Sequence, residues 1–142
     1  MVTDDSLVDV VEEISSMMGE FEDQALNSDK LSDLTVKQIY YLDIINNLFK
    51  PTFTDLAHEM GVTKPTVTLA INKLIELDYV KKEQSNQDRR VYHILLTPKG
   101  KEVIRVHDKA HKDFAREIIE CLDQSELEHL VGICKKIIRR NS

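Results

Sequence analysis

The chain has 142 residues, 42% hydrophobic and 31% charged, with a formal net charge of −6. That length supports one globular domain with its own core. No apolar run approaches the ~20 residues of a membrane span, the acidic start Met1-Val-Thr-Asp-Asp5 is unlike a signal peptide, and two cysteines make no disulfide framework. A cytoplasmic protein with no membrane partner is expected.

From Leu7, the apolar residues Val10, Val11, Ile14, Met17, Met18 and Phe21 recur at three- and four-residue steps, which predicts a long helix with one apolar face over about residues 5–26. Asn27 to Asp33 is a polar break. Thr35 with Gln38 three residues on is a capping-box signature and opens a helix to about Leu48. Lys50-Pro51 ends that helix, because proline disfavours helical geometry in the residue before it. Thr52 with Asp55 then starts a short amphipathic helix that stops at Gly61, and Thr63 caps the next, with Pro65 tolerable in its first turn.

Val80–Gln84 and Val91–Leu96 are β-branched and aromatic runs separated by Ser85-Asn-Gln-Asp-Arg-Arg90, which reads as a hairpin with a longer loop. Thr97-Pro98 opens another helix, threonine as cap and proline at the first helical position, running to about Cys121. A last helix follows Asp123, with Leu127, Leu130, Val131, Cys134, Ile137 and Ile138 on one face. The chain has no internal repeat and no low-complexity segment.

Two helices joined by a tight turn and followed by a basic hairpin spell a winged helix-turn-helix over about residues 34–100. The fold class expected is therefore mainly α with a small β-hairpin wing (α+β), in a single domain spanning 1–142. The flanking helices, 5–26 and 101–140, carry apolar stripes too strong to leave in water. They either fold back on the core or pair with a second copy, and a two-fold homodimer suits a DNA reader because two recognition helices one helical turn apart match a pseudo-palindrome. Charge follows the same division. Residues 1–63 carry three basic and thirteen acidic residues, 64–101 carry eight and four, and 102–142 carry eight of each. Positive charge thus collects where phosphates would be met.

On the second helix of the pair, Lys64, Thr66, Thr68, Asn72 and Lys73 are candidate DNA contacts, while Val67, Ala70, Ile71 and Leu74 are packing positions. Threonine offers a hydroxyl to phosphate or base and a methyl to thymine, and lysine offers a point charge. At the hairpin tip, Asp88, Arg89 and Arg90 are the candidates. An arginine suits the negative potential of a narrow minor groove, and an adjacent carboxylate can hold it in place. Each could instead be an ordinary solvated charge.

The stretch Asp55-Leu-Ala-His-Glu-Met-Gly-Val-Thr-Lys-Pro-Thr-Val-Thr68, with Asp88-Arg-Arg-Val-Tyr-His-Ile-Leu-Leu-Thr-Pro-Lys-Gly100, resembles the MarR family of regulators over nearly the whole chain. The resemblance implies a homodimer, recognition helices in the major grooves of double-stranded DNA, and wings in the flanking minor grooves. It also implies that Asp88 orients Arg90, the acid of an Asp-x-Arg wing acting on the arginine two places on. Within that family, Arg105 to Ile119 is similar to the branch that represses fatty-acid synthesis genes. This implies a ligand, a small molecule or an acyl chain on acyl carrier protein, at Arg105, His107, Lys109, His111 and Lys112, with Arg116 adding charge.

His107 and His111, four apart on one helix face, also suit a metal by spacing. Zinc-sensing relatives add an acid and a histidine early in the second helix, where this chain reads Gln38-Ile-Tyr-Tyr41, so no metal site is expected. A redox role for Cys134 is not expected either, since it falls on the apolar stripe, while Cys121 near a helix end carries no reading of its own. No phosphate loop, nucleophile elbow or paired carboxylates indicate an enzyme, and no cofactor is expected. The function expected is a ligand-responsive transcriptional repressor. The alternatives are a zinc-responsive regulator of the same fold and a helical interaction protein that never touches DNA.

Overall fold

The computed structural model describes residues 1–28 and 33–141, so the polar break at Asn27 to Asp33 lies largely outside the described residues. The chain forms two compact units, Met1–Glu22 with Lys109–Ser142, and Asp23–Asp108. Its elements run α1 Asp4–Ser28, α2 Val36–Leu48, α3 Phe53–Met60, α4 Lys64–Glu76, β1 Val80–Gln84, β2 Tyr92–Leu96, α5 Pro98–Cys121 and α6 Gln124–Arg140.

The helix starts are set by local side-chain chemistry. Thr35 and Gln38 make the expected reciprocal capping box, the Gln38 amide donating to the Thr35 hydroxyl (3.2 Å) and the Thr35 amide to Gln38 Oε1 (2.8 Å). Thr52 with Asp55 repeats the device at α3, and Asp123 with Glu126 at α6. Each satisfies two of the donors that a helix start leaves orphaned. Gly61 closes α3 in the left-handed conformation, φ 63°, which glycine adopts without steric cost. α2 ends at Leu48, ahead of Phe49 and Lys50, which both take positive φ before Pro51.

In the 23–108 unit, the core is one cluster in which Leu42, Leu56, Val67, Ile71, Leu74, Ile94 and Val103 are fully buried. β1 and β2 pair antiparallel from Val80↔Leu96 to Gln84↔Tyr92. The strand expected from Val91 starts one residue later, because the Val91 amide turns back to the Asp88 carbonyl (2.9 Å) and closes the loop. Strand β2 of the wing is fastened to the segment entering α3 at His93 and Ile94. Thr52 bridges His93, the Ile94 amide donates to the Pro51 carbonyl (2.8 Å), and His93 Nδ1 lies 2.8 Å from the Lys50 carbonyl oxygen.

Leu96-Thr-Pro-Lys-Gly100 joins the wing to α5, and each member has a physical task. Leu96 is buried in the core. The Thr97 hydroxyl donates to the Asp78 carbonyl (2.5 Å) and accepts from the Gly100 amide (3.1 Å), serving the end of one helical segment and the start of another. Lys99 Nζ donates to the Leu77 carbonyl (2.8 Å) while lying over the Tyr79 ring (4.3 Å). Gly100 lets the Tyr79 carbonyl pass where a Cβ would stand.

In the other unit, Phe21 and Phe114 stack edge-to-face with centroids 5.6 Å apart. The apolar stripe of α1 does not find cover within the chain: Leu7, Val8, Val10, Val11, Ile14 and Met17 all stand about half exposed. α6 buries no residue, leaving Ile133, Ile137 and Ile138 in solvent. Cys134, expected within an apolar stripe, is exposed in the single chain for the same reason, as is Cys121.

Candidate nucleic-acid interface

α4 is anchored by the face that packs and free on the face that does not. Val67, Ile71 and Leu74 are wholly buried, Ala70 is only half-buried, and Lys64, Thr66, Asn72 and Lys73 are exposed as expected. Thr63 caps the helix, accepting from the Thr66 amide (3.4 Å). The two candidate threonines are less free than their position implies. The Thr66 hydroxyl is 2.9 Å from that of Thr63, and the Thr68 hydroxyl donates to the Lys64 carbonyl one turn back (2.9 Å). Thr68 therefore retains acceptor capacity but not its donor. Lys73 lies 3.5 Å from Glu76, both well exposed, a contact worth little in water.

The wing tip is built around one carboxylate. Asp88 accepts from Arg90 three times: from the backbone amide (3.0 Å), from Nε (3.1 Å) and from Nη2 (3.2 Å). These bonds, the guanidinium's first and then the amide's, hold the Asp88 carboxyl below the usual carboxylate range against a small opposing effect of desolvation. The guanidinium is thus oriented while its side chain stays 90% exposed. Arg89 is exposed beside it, and its carbonyl accepts from Gln84 Nε2 (2.6 Å), which ties the loop to the end of β1.

Between α4 and the wing lies a cleft of about 390 Å³ where Lys64, Thr68 and Asn72 of the helix meet Arg90 of the wing. Lys82 and Tyr92 also line it, the ammonium 5.2 Å from the ring centroid. Sequence reasoning missed both. The strand pattern places Lys82 opposite Ile94, but only the three-dimensional cleft shows that it joins Lys64 and Arg90.

Of the five residues assigned to a ligand on α5, Arg105 and Lys109 are paired on their own helix. Arg105 binds Glu102 twice (2.9 and 2.5 Å), Lys109 binds Asp113 (2.6 Å), and Arg116 lies 3.5 Å from the same carboxylate. Arg105 depresses the Glu102 carboxyl, and Lys109, with Arg116 assisting, depresses that of Asp113. Lys112 is exposed, and His111 Nε2 is 2.7 Å from Glu22 Oε1 on α1, with His107 half-buried one turn earlier on α5. No described helix is long and apolar enough to cross a membrane.

The model of the MarR family matches residues 34–92, the segment that holds the helix pair, the cleft and the wing tip. Over that segment the chain is similar to the MarR family. Among curated MarR-type relatives, the HTH-type transcriptional regulator TcaR of Staphylococcus aureus (strain Newman) is 29% identical over 111 residues, covering 76% of this chain and 72% of that protein. Streptococcus pneumoniae FabT, solved in complex with DNA, superposes with a TM-score of 0.78 at 26% identity, covering 94% of this chain and 95% of that one. RV1404 from Mycobacterium tuberculosis shares the fold at a TM-score of 0.81 and 18% identity, covering 98% and 94%. This match and the curated relatives make the chain a transcriptional regulator and not an enzyme.

Proposed function

We propose that this protein is a repressor that binds a pseudo-palindromic operator as a homodimer, with Lys64, Thr68, Asn72 and Lys73 of α4 in the major groove and Arg90 in the adjacent minor groove. The observation that carries this reading is the cleft in which Lys64, Lys82 and Arg90 converge from three elements, with Arg90 already held by Asp88. A preset guanidinium loses less freedom on binding than a mobile one. The solved complex of FabT with DNA supports DNA as the partner, and the uncovered apolar faces of α1 and α6 supply the surface a second copy would bury. A ligand, a small molecule or an acyl chain on its carrier protein, would act by preferring one spacing of the two recognition helices over another.

Selection of bound duplexes from a random pool tests this directly. A two-fold motif should emerge, with affinity falling steeply as salt rises, and Arg90→Ala should weaken it. Failure to enrich any motif would refute the reading. The Glu22–His111 contact favours one second reading, a zinc-responsive version of the same regulator. Zinc added to the purified protein should then change its affinity for the selected duplex, and no change would dismiss it.

A further inference from the structure

The exposed face of α4 carries one residue that neither the core nor the phosphate contacts explain. Val67, Ile71 and Leu74 define the buried side. Diametrically opposite, at helical spacing, run Pro65, Leu69, Asn72 and Glu76. Leu69 stands at the middle of that face, 74% exposed. Helix propensity does not require it, because lysine, glutamine or glutamate would serve as well in water.

Leu69 also has polar neighbours on both flanks. On one side Lys64, Thr68 and Asn72 descend into the cleft shared with the wing. On the other, Thr66 and Lys73 line a hollow with Thr35 and Lys37 at the start of α2. Leu69 is therefore the crest of the helix between two groups of phosphate-seeking side chains, the part that enters a groove deepest. The apolar group on the floor of the major groove is the thymine 5-methyl. The hydroxyl donor of Thr68 is committed to its own helix and that residue is half-buried, whereas Leu69 presents a larger apolar side chain at the crest.

We propose that Leu69 reads a thymine methyl group in each half of the operator. This rests on α4 being the recognition helix, and the test separates the two ideas. In the duplex recovered from the random pool, each thymine and its symmetry mate are replaced by deoxyuridine, which removes only the methyl. Burying one methyl against an apolar side chain is worth about fourfold in affinity, so the critical replacement should weaken the native protein about 15-fold over two half-sites. Leu69→Ala should bind the thymine duplex correspondingly less well and lose its sensitivity to that replacement, while Leu69→Met should keep part of both.

If Leu69→Ala shows the same deoxyuridine penalty as the native protein, or no thymine methyl matters, the proposal is overturned. Lys64→Ala is the control. It should weaken every duplex alike, and if neither it nor Arg90→Ala changes binding, then the docking of α4 is wrong, and with it the proposal.

Discussion

Asp88 and Arg90 form a three-point contact in which one carboxylate takes both a backbone amide and two guanidinium nitrogens of a residue two places on. Charge alone says that Asp88→Ala should tighten DNA binding, because it removes a negative group beside phosphate. We expect the opposite, a loss of about 3- to 10-fold measured by fluorescence anisotropy at fixed salt, because the freed arginine must be ordered on binding. The depressed carboxyl fixes the pH sign. The clamp is complete above the ordinary carboxylate pKa and is lost only as pH falls through the lowered value, so wing order followed by NMR of the Arg90 Nε–H should be constant from about pH 8 to pH 5.

Gly100 is irreplaceable for a steric reason. A Cβ there would sit 2.1 Å from the Tyr79 carbonyl oxygen, a backbone atom that also accepts from the Thr97 amide. Gly100→Ala should cost about 1–3 kcal/mol in a urea melt. An unchanged midpoint would mean that the strand and α5 can part without loss.

The Tyr41 hydroxyl offers the reverse case. The residue is 1% exposed and its oxygen has no hydrogen-bond partner in the described structure, and burial pushes its pKa up. Tyr41→Phe should therefore preserve the fold and raise stability by about 1 kcal/mol in the same assay. A clear destabilisation would show that the hydroxyl is bonded in solution.

The uncovered stripes make a prediction about assembly. Ile14 on α1 and Ile137 on α6 are both about half exposed in the chain by itself. Native protein should sediment as a dimer, and Ile14→Asp or Ile137→Asp should shift it to monomer and weaken operator binding, since one chain holds only one half-site. A dimer unaffected by both substitutions would place the interface elsewhere.

What the sequence disclosed was what is local. Thr35 with Gln38 and Thr52 with Asp55 act over three residues, so spacing alone exposes their chemistry, while Asp88 with Arg90 is legible through the resemblance of the wing to the MarR pattern. Lys82 and Tyr92 needed the hairpin register, and the His93–Lys50 contact joins residues 43 apart, beyond any periodic signal. Leu69 was passed over for another reason. Helical spacing sets it opposite Val67, Ile71 and Leu74, but an apolar residue among polar contact candidates carries no signal of its own until its 74% exposure is seen. The positive φ values at Phe49 and Lys50 had no sequence cue beyond the proline that follows.

The stitches between Lys50–Thr52 and His93–Ile94 have a consequence for control. They fasten the wing to the segment that launches α3, while Thr97 and Lys99 fasten the far end of the hairpin to the tail of α4. Neither arm of the reading head is hinged to the other. Tied at both ends, the hairpin is carried with the helix pair, so wing and recognition helix are held as one piece, like teeth cut from the same blank.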